Sequence, residues 1–216
     1  MNLTSFYDFK WWQLSVVFAG IYLALAYITN NFVLTDSFYY SSFSTQLSSD
    51  RIDGIIHLTK RLNWISYVAM PVFLSLKWSI VAAIIYAGMF LFNQNITFKY
   101  CLKIITLAEL VPIIVTLLKL AYFFIYPPSN LQDIQGFYPL SLTAFFSHNK
   151  LPSYLVYPLQ QFNLFEAVYW LFIAAGIQSF TQNTFGYSLK IVASSYGIAL
   201  CVWVLIVMFI QLQFGA

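Results

Sequence analysis

Charge is what this sequence has least of. Only 8% of its 216 residues are Asp, Glu, Lys or Arg, against about 25% in an ordinary soluble domain. So few ionisable groups cannot cover a water-facing globule of this size, which excludes water as the main solvent. The formal net charge of +3 comes without any basic run, so a surface that tracks nucleic-acid phosphates is excluded as well. Cysteine is scarce. Cys101 falls near one end of an apolar run and Cys201 deep inside another, so no disulfide is expected between them. There is no CxxC, no His-x-x-x-His and no Cys/His cluster, so neither a metal nor another cofactor is expected. A cleavable leader is missing too. Asp8 interrupts it and no small-residue cleavage site follows, so the first apolar segment is expected to stay as an anchor.

What is abundant is apolar: 61% of residues are hydrophobic and 20% aromatic. About 20 such residues in a row span a bilayer as a helix, and lipid forces the backbone to satisfy its own hydrogen bonds. The expectation is a single all-α transmembrane domain over residues 1–216. Its five crossings fall at about 11–34, 70–92, 102–126, 164–180 and 189–214. Trp11 and Trp12 suit the interface at the first of them. Two long connections, 35–63 and 129–162, carry interfacial or amphipathic segments. In the first, Ile52, Ile55, Ile56, Thr59 and Leu62 recur at helical spacing, with Arg51, Asp53, Lys60 and Arg61 opposite. That pattern predicts an amphipathic helix lying on the membrane or leading into the next span. The second connection repeats a phrase, Phe137-Tyr138-Pro139-Leu140 and Val156-Tyr157-Pro158-Leu159, and prolines at both ends argue against a full crossing.

Lysine density sets the expected orientation. Lys10, Lys99, Lys103 and Lys190 crowd short segments on the N-terminal side. Arg51, Lys60, Arg61 and Lys150 on the other side are offset by aspartates. This places the N-terminus inside and the C-terminus outside.

Charges within apolar runs are the candidate functional residues. Glu166 stands three positions after Asn163, the spacing of a capping box with Asn163 at the N-cap. Lys119 lies close enough to the outer interface to extend its ammonium there. Lys77 and Glu109 fall on neighbouring antiparallel spans and are matched as an ion pair. Three readings stay open for them: a structural pair, a proton or solute pathway, or a neutral Glu109 or exposure at the interface. Thr106, Thr116, Ser194 and Ser195 are the scattered hydroxyls such a pathway would add. Small residues mark packing faces, at Ala174, Ala175 and Gly176 in one span and Ala193, Ser194 and Gly197 in the last.

Catalytic chemistry finds no support. Intramembrane hydrolysis needs a nucleophile with its base, paired aspartates or a metal helix. No aspartate falls in a span, and His57 and His148 lie in the outer connections, with Ser147 beside His148 in sequence only.

The C-terminal third carries a resemblance. Phe162-Asn163-Leu164-Phe165-Glu166 opens an aromatic helix ending in Ala174-Ala175-Gly176-Ile177. A polar turn, Leu189-Lys190-Ile191-Val192 and a last span with Trp203 follow. This resembles the C-terminal helix pair of the Yip1 domain family of five-helix membrane proteins. The resemblance implies five spans, an inside N-terminus and an outside C-terminus. Eukaryotic members use a long cytosolic region to work with Rab GTPases; here only residues 1–10 precede the first span, so that partnership is not expected. Size, the use of lysine over arginine, and many Asn, Tyr and Phe residues point to a bacterial inner-membrane member. The expected function is a non-catalytic scaffold or accessory subunit, with the lipid bilayer, other membrane proteins or further copies of itself as partners and no nucleic acid. The alternative is a small transporter or channel protomer using Lys77 and Glu109.

Overall fold

The structure, a computed structural model, describes residues 10–145, 152–181 and 183–214. Asp8, Ser147, His148 and Lys150 lie outside them. Among the described residues the chain is helical, without strands. Four helical stretches are long and apolar enough to cross a membrane: Trp11–Val33, Ser49–Leu91, Phe98–Ile125 and Phe185–Gln213. A fifth apolar helix, Leu164–Phe180, is shorter at 17 residues. The chain is thus a membrane-integral helical protein.

Helix α1 (Trp11–Ile28) continues through a π turn, Thr29–Val33. Thr35 then caps α2 (Asp36–Phe43), its side chain accepting from the Phe38 N–H. Helix α3 (Ser49–Leu91) follows without a break for 43 residues. The amphipathic stretch does not lie apart: it leads straight into the span, with Ile52 and Ile56 buried and His57 exposed. Pro71 sits inside this helix. The end of α3 is a Schellman turn. Asn93 takes φ 54, its N–H reaches the Phe90 carbonyl, and the Gln94 N–H reaches that of Met89. Asparagine tolerates the left-handed conformation better than most side chains.

The expected continuous span over 102–126 is in fact two helices, α4 (Phe98–Ala108) and α5 (Leu110–Ile125), joined at Glu109. Pro112 is the reason. It has no N–H for the Ala108 carbonyl, and its ring crowds that oxygen, so the ladder breaks there. The N–H of Glu109 is shared between the Ile105 and Thr106 carbonyls, both at 3.2 Å.

The 129–162 connection folds into α6 (Leu131–Gly136), a 3-10 turn (Leu142–Phe145) and α7 (Ser153–Gln161). The two Tyr-Pro phrases do not adopt one structure: Pro139 follows α6, whereas Pro158 is inside α7. Helices α8 (Leu164–Phe180) and α9 (Phe185–Val192) form a hairpin, and a second π turn (Ala193–Gly197) feeds α10 (Ile198–Phe214).

One apolar core joins the second half of α3 to α4, α8 and α9, through Ala82, Ile85, Met89, Ile104, Ile105, Ile173, Ile177 and Ile191. A smaller one pairs Leu25 and Val33 with Leu120 and Phe123. The outside is apolar as well. Val68, Val72, Phe73, Phe90, Leu91, Leu205 and Phe209 are each more than half exposed, a surface that lipid covers and water would not.

Candidate functional site: a buried carboxylate at the helix break

The break in the third span places Glu109 at the centre of the bundle, where its side chain is completely buried. Its Oε1 accepts from the Lys77 ammonium of α3 at 2.7 Å and from the Tyr22 hydroxyl of α1, also at 2.7 Å. Its Oε2 has no hydrogen-bond partner among the described residues. The structure therefore brings Lys77 and Glu109 together, and adds Tyr22, which sequence spacing did not single out. Tyr22 sits midway along the first crossing, about 17 Å by helical rise from either end. Glu109 is thus at mid-membrane depth. Lys77 is not buried with it: 46% of its side chain is exposed.

Glu166 does not complete a capping box. Asn163 caps α8, its Oδ1 accepting from the Glu166 N–H at 2.7 Å, but the Glu166 carboxylate turns inward. It accepts from Trp170 Nε1 at 2.9 Å and from the Tyr196 hydroxyl of the second π turn. The indole one turn along the same helix and the phenol of the facing turn outcompete the return to the backbone. Lys77 reaches Glu166 electrostatically, and Tyr169 lies in the field of both carboxylates, its own buried hydroxyl without a partner among the described residues. Two acids, one lysine and three phenols form one cluster.

A crevice of about 420 Å³ leads towards this cluster between α1 and α3. Thr29, Asn30, Asn63, Ser66 and Tyr67 line it, Thr116 of α5 closes one side, and Tyr22 lies at its end. Asn30 donates to Asn63 Oδ1 at 3.0 Å and to the Tyr67 hydroxyl at 3.2 Å. The crevice lining runs from Tyr22 to Leu34, about 18 Å by helical rise.

The other sequence candidates serve locally. The hydroxyls of Thr106, Thr116, Ser194 and Ser195 each bond a carbonyl one turn back, at Leu102, Pro112, Lys190 and Ile191. Lys119 is half-buried; it donates to the Ile134 carbonyl of α6 at 2.7 Å and stands 5.8 Å from the Phe123 ring centre. The small residues pack this chain's own helices. Ser195, rather than Ser194, is the close-packed serine: a Cβ on Gly88 of α3 would collide with its side chain. A Cβ on Gly197 would meet Trp170 at 2.7 Å. Gly176 is buried and Ala175 half-buried within α8. Cys101 is buried and Cys201 exposed, both as free thiols.

In comparison with known proteins, the chain matches no protein-family model, no curated protein and no solved structure.

Proposed function

We propose that the chain is a small cation-handling membrane subunit, a carrier or channel protomer, whose operative group is Glu109. The observation that carries this is the crevice lined in part by Asn30, Asn63, Ser66 and Tyr67 and reaching Tyr22, which donates directly to a buried carboxylate with one oxygen unpartnered among the described residues. An ionisable side chain at that depth is costly, and a buried ion pair does little for stability compared with apolar packing. A crevice that brings amide and hydroxyl groups up to such a group is the arrangement expected of a permeation or exchange site. The reading includes five crossings, with α8 as the short fourth one, and a bacterial inner-membrane setting. It places the N-terminus in the cytoplasm and the C-terminus in the periplasm, and adds kinship with the Yip1 domain family. Purified protein reconstituted in vesicles tests it. Sodium, potassium or proton flux that is lost in Glu109→Gln supports the reading, and vesicles as tight as protein-free ones under every cation gradient overturn it.

A second reading, the non-catalytic scaffold or accessory subunit, draws on α3. At 43 residues this helix is about 65 Å long, roughly twice the hydrocarbon thickness. Its N-terminal half, braced on α2 by Lys60–Asp36 at 2.7 Å and Tyr40–Asp53 at 2.5 Å, is a platform for a partner. The small-residue faces lend this reading less than sequence suggested, because Gly88, Ser195 and Gly197 are occupied within the chain. Co-purification of a stoichiometric membrane partner, lost when residues 49–60 are replaced, would favour it.

A further inference from the structure

Helix α8 is shorter than the helical stretch it packs against. It has 17 residues, about 25 Å, whereas the chain from Phe185 to Phe214 stays helical for about 45 Å. The two are pinned where the Trp170 ring covers Gly197, so tightly that a Cβ there would stand 2.7 Å from it. Beyond that contact α10 runs on past the start of α8, and α7 joins it through the Trp203 indole, which donates to the Tyr157 hydroxyl at 2.8 Å. A groove of about 820 Å³ is left between α7, α8 and α10, within the about 300 to 1,000 Å³ of ligand pockets.

The groove has the length of one leaflet. Its lining on α10 runs from Gly197 to Met208, about 16 Å by helical rise, and half of the hydrocarbon thickness is about 15 Å. Gly197 falls near the middle of the apolar stretch Phe185–Gln213, and Met208 near its end. Leu164 and Leu205 in the lining are more than half exposed, so the groove is open to the bilayer. Its wall decides between occupants. Leucine, valine and methionine side chains offer nothing to the N–H and C=O groups of an extended peptide, whereas a hydrocarbon chain has no such groups to satisfy. Glu166 is the only carboxylate in the lining, and among the described residues no lysine, arginine or histidine joins it. A fatty-acid carboxylate or an anionic headgroup would find no cation there to pair with.

We propose that this groove is a lipid site that holds one acyl chain of a zwitterionic phospholipid, taken sideways from the leaflet around it. The chain lies along α10, its methyl end towards Trp170 and Gly197 and its headgroup beyond Met208. The site is separate from the crevice between α1 and α3 and does not depend on cation handling.

Photolabelling of the full chain in phosphatidylethanolamine vesicles tests it. A small share of that lipid carries a diazirine on its acyl chain, and mass spectrometry locates the adducts. Labelling of Leu200, Cys201, Val204 and Met208 should exceed that of Val68, Val72 and Phe73, an exposed part of α3, several-fold. Ala167→Phe, at an exposed position in the groove lining, should reduce the α10 adducts several-fold and leave those on α3 unchanged. A phosphatidylglycerol probe with the same chain should label the groove less. Groove labelling no greater than that of α3 overturns the proposal, as does labelling indifferent to Ala167→Phe or equal for the two headgroups. An unlabelled groove whose exposed Cys201 is linked by oxidation to that of a second copy puts protein there instead, and overturns it too.

Discussion

Tyr22 and Glu109, 87 positions apart in sequence, meet through a 2.7 Å hydrogen bond at the middle of the bundle. The phenol reaches the carboxylate on the oxygen that also takes the Lys77 ammonium, so three separate helical segments converge on a single atom. Hydrogen bonds to a charged group contribute about 1.5 to 3 kcal/mol. Tyr22→Phe should therefore destabilise the protein by an amount in that range, read as a lower midpoint of thermal unfolding in detergent. An unchanged midpoint would mean the contact is not formed in the membrane-solubilised protein.

Breaking the ion pair from its cationic side should be harsher than removing both partners. Lys77→Met leaves Glu109 buried without its cation and should cost up to about 3 kcal/mol, the lower end because the lysine is half exposed. The double variant with Glu109→Gln should cost less than the sum of the singles, with a coupling of about 0.5 to 3 kcal/mol. Additive single effects would show that the two side chains do not interact.

Close packing makes Gly88 intolerant. Gly88→Ala places a methyl into the Ser195 side chain and should destabilise by about 1 to 3 kcal/mol. Ser195→Gly in the same protein should recover part of that loss. Gly20→Ala meets nothing within 4 Å and should stabilise by up to about 1 kcal/mol through helix propensity. Unfolding midpoints of the four proteins give the comparison, and an equal response at Gly88 and Gly20 would contradict the packing.

At the surface, the hydrogen bond to Asp53 raises Tyr40 above the ordinary tyrosine value of 10.0. A raised value means the contact holds fully below the unfolded tyrosine range. It is lost as pH rises through the folded value. Ultraviolet titration should show one exposed tyrosine ionising late, and Asp53→Asn should return it to the ordinary range. A titration unchanged by Asp53→Asn would show that the contact is absent.

Tryptophan quenching by lipids with brominated chains should sort side chains by exposure. Trp203, 54% exposed on α10, should be quenched strongly, and Trp78, 2% exposed, should be protected. Single-tryptophan proteins allow the measurement, and equal quenching would contradict the lipid-facing assignment of α10.

Much of this was legible in the chain because lipid imposes simple rules. Length and hydropathy located every long apolar helix. Of the predicted stripe in the first half of α3, Ile52 and Ile56 are buried, whereas Thr59 and Leu62 stand exposed because nothing among the described residues packs over that part of the helix. Pro112 carried the signal for the break at Glu109, which a hydropathy run smooths over. Lys77 and Glu109 were identifiable as partners because charge is so rare here. Tyr22 was not, since one phenol among 16 tyrosines has no pattern that points at a carboxylate 87 positions away. Glu166 was misread for the opposite reason: the local capping spacing was present, but a tertiary contact with Tyr196 and the indole of Trp170 won the side chain. Ser194 and Ser195 differ by one position, and only the rotation of the π turn decides which one packs on Gly88.

The wetness of the crevice is the claim on which the account turns. It is measured by placing single cysteines at Asn63, Ser66 and Thr116, and at Val68 and Val72 on the lipid side, with Cys201 replaced by alanine. A small charged thiol reagent that cannot cross membranes is then applied to vesicles. The account predicts labelling at the three crevice positions and none at Val68 or Val72. Crevice cysteines as unreactive as the lipid-facing pair would contradict it, because Glu109 would then have no path to water.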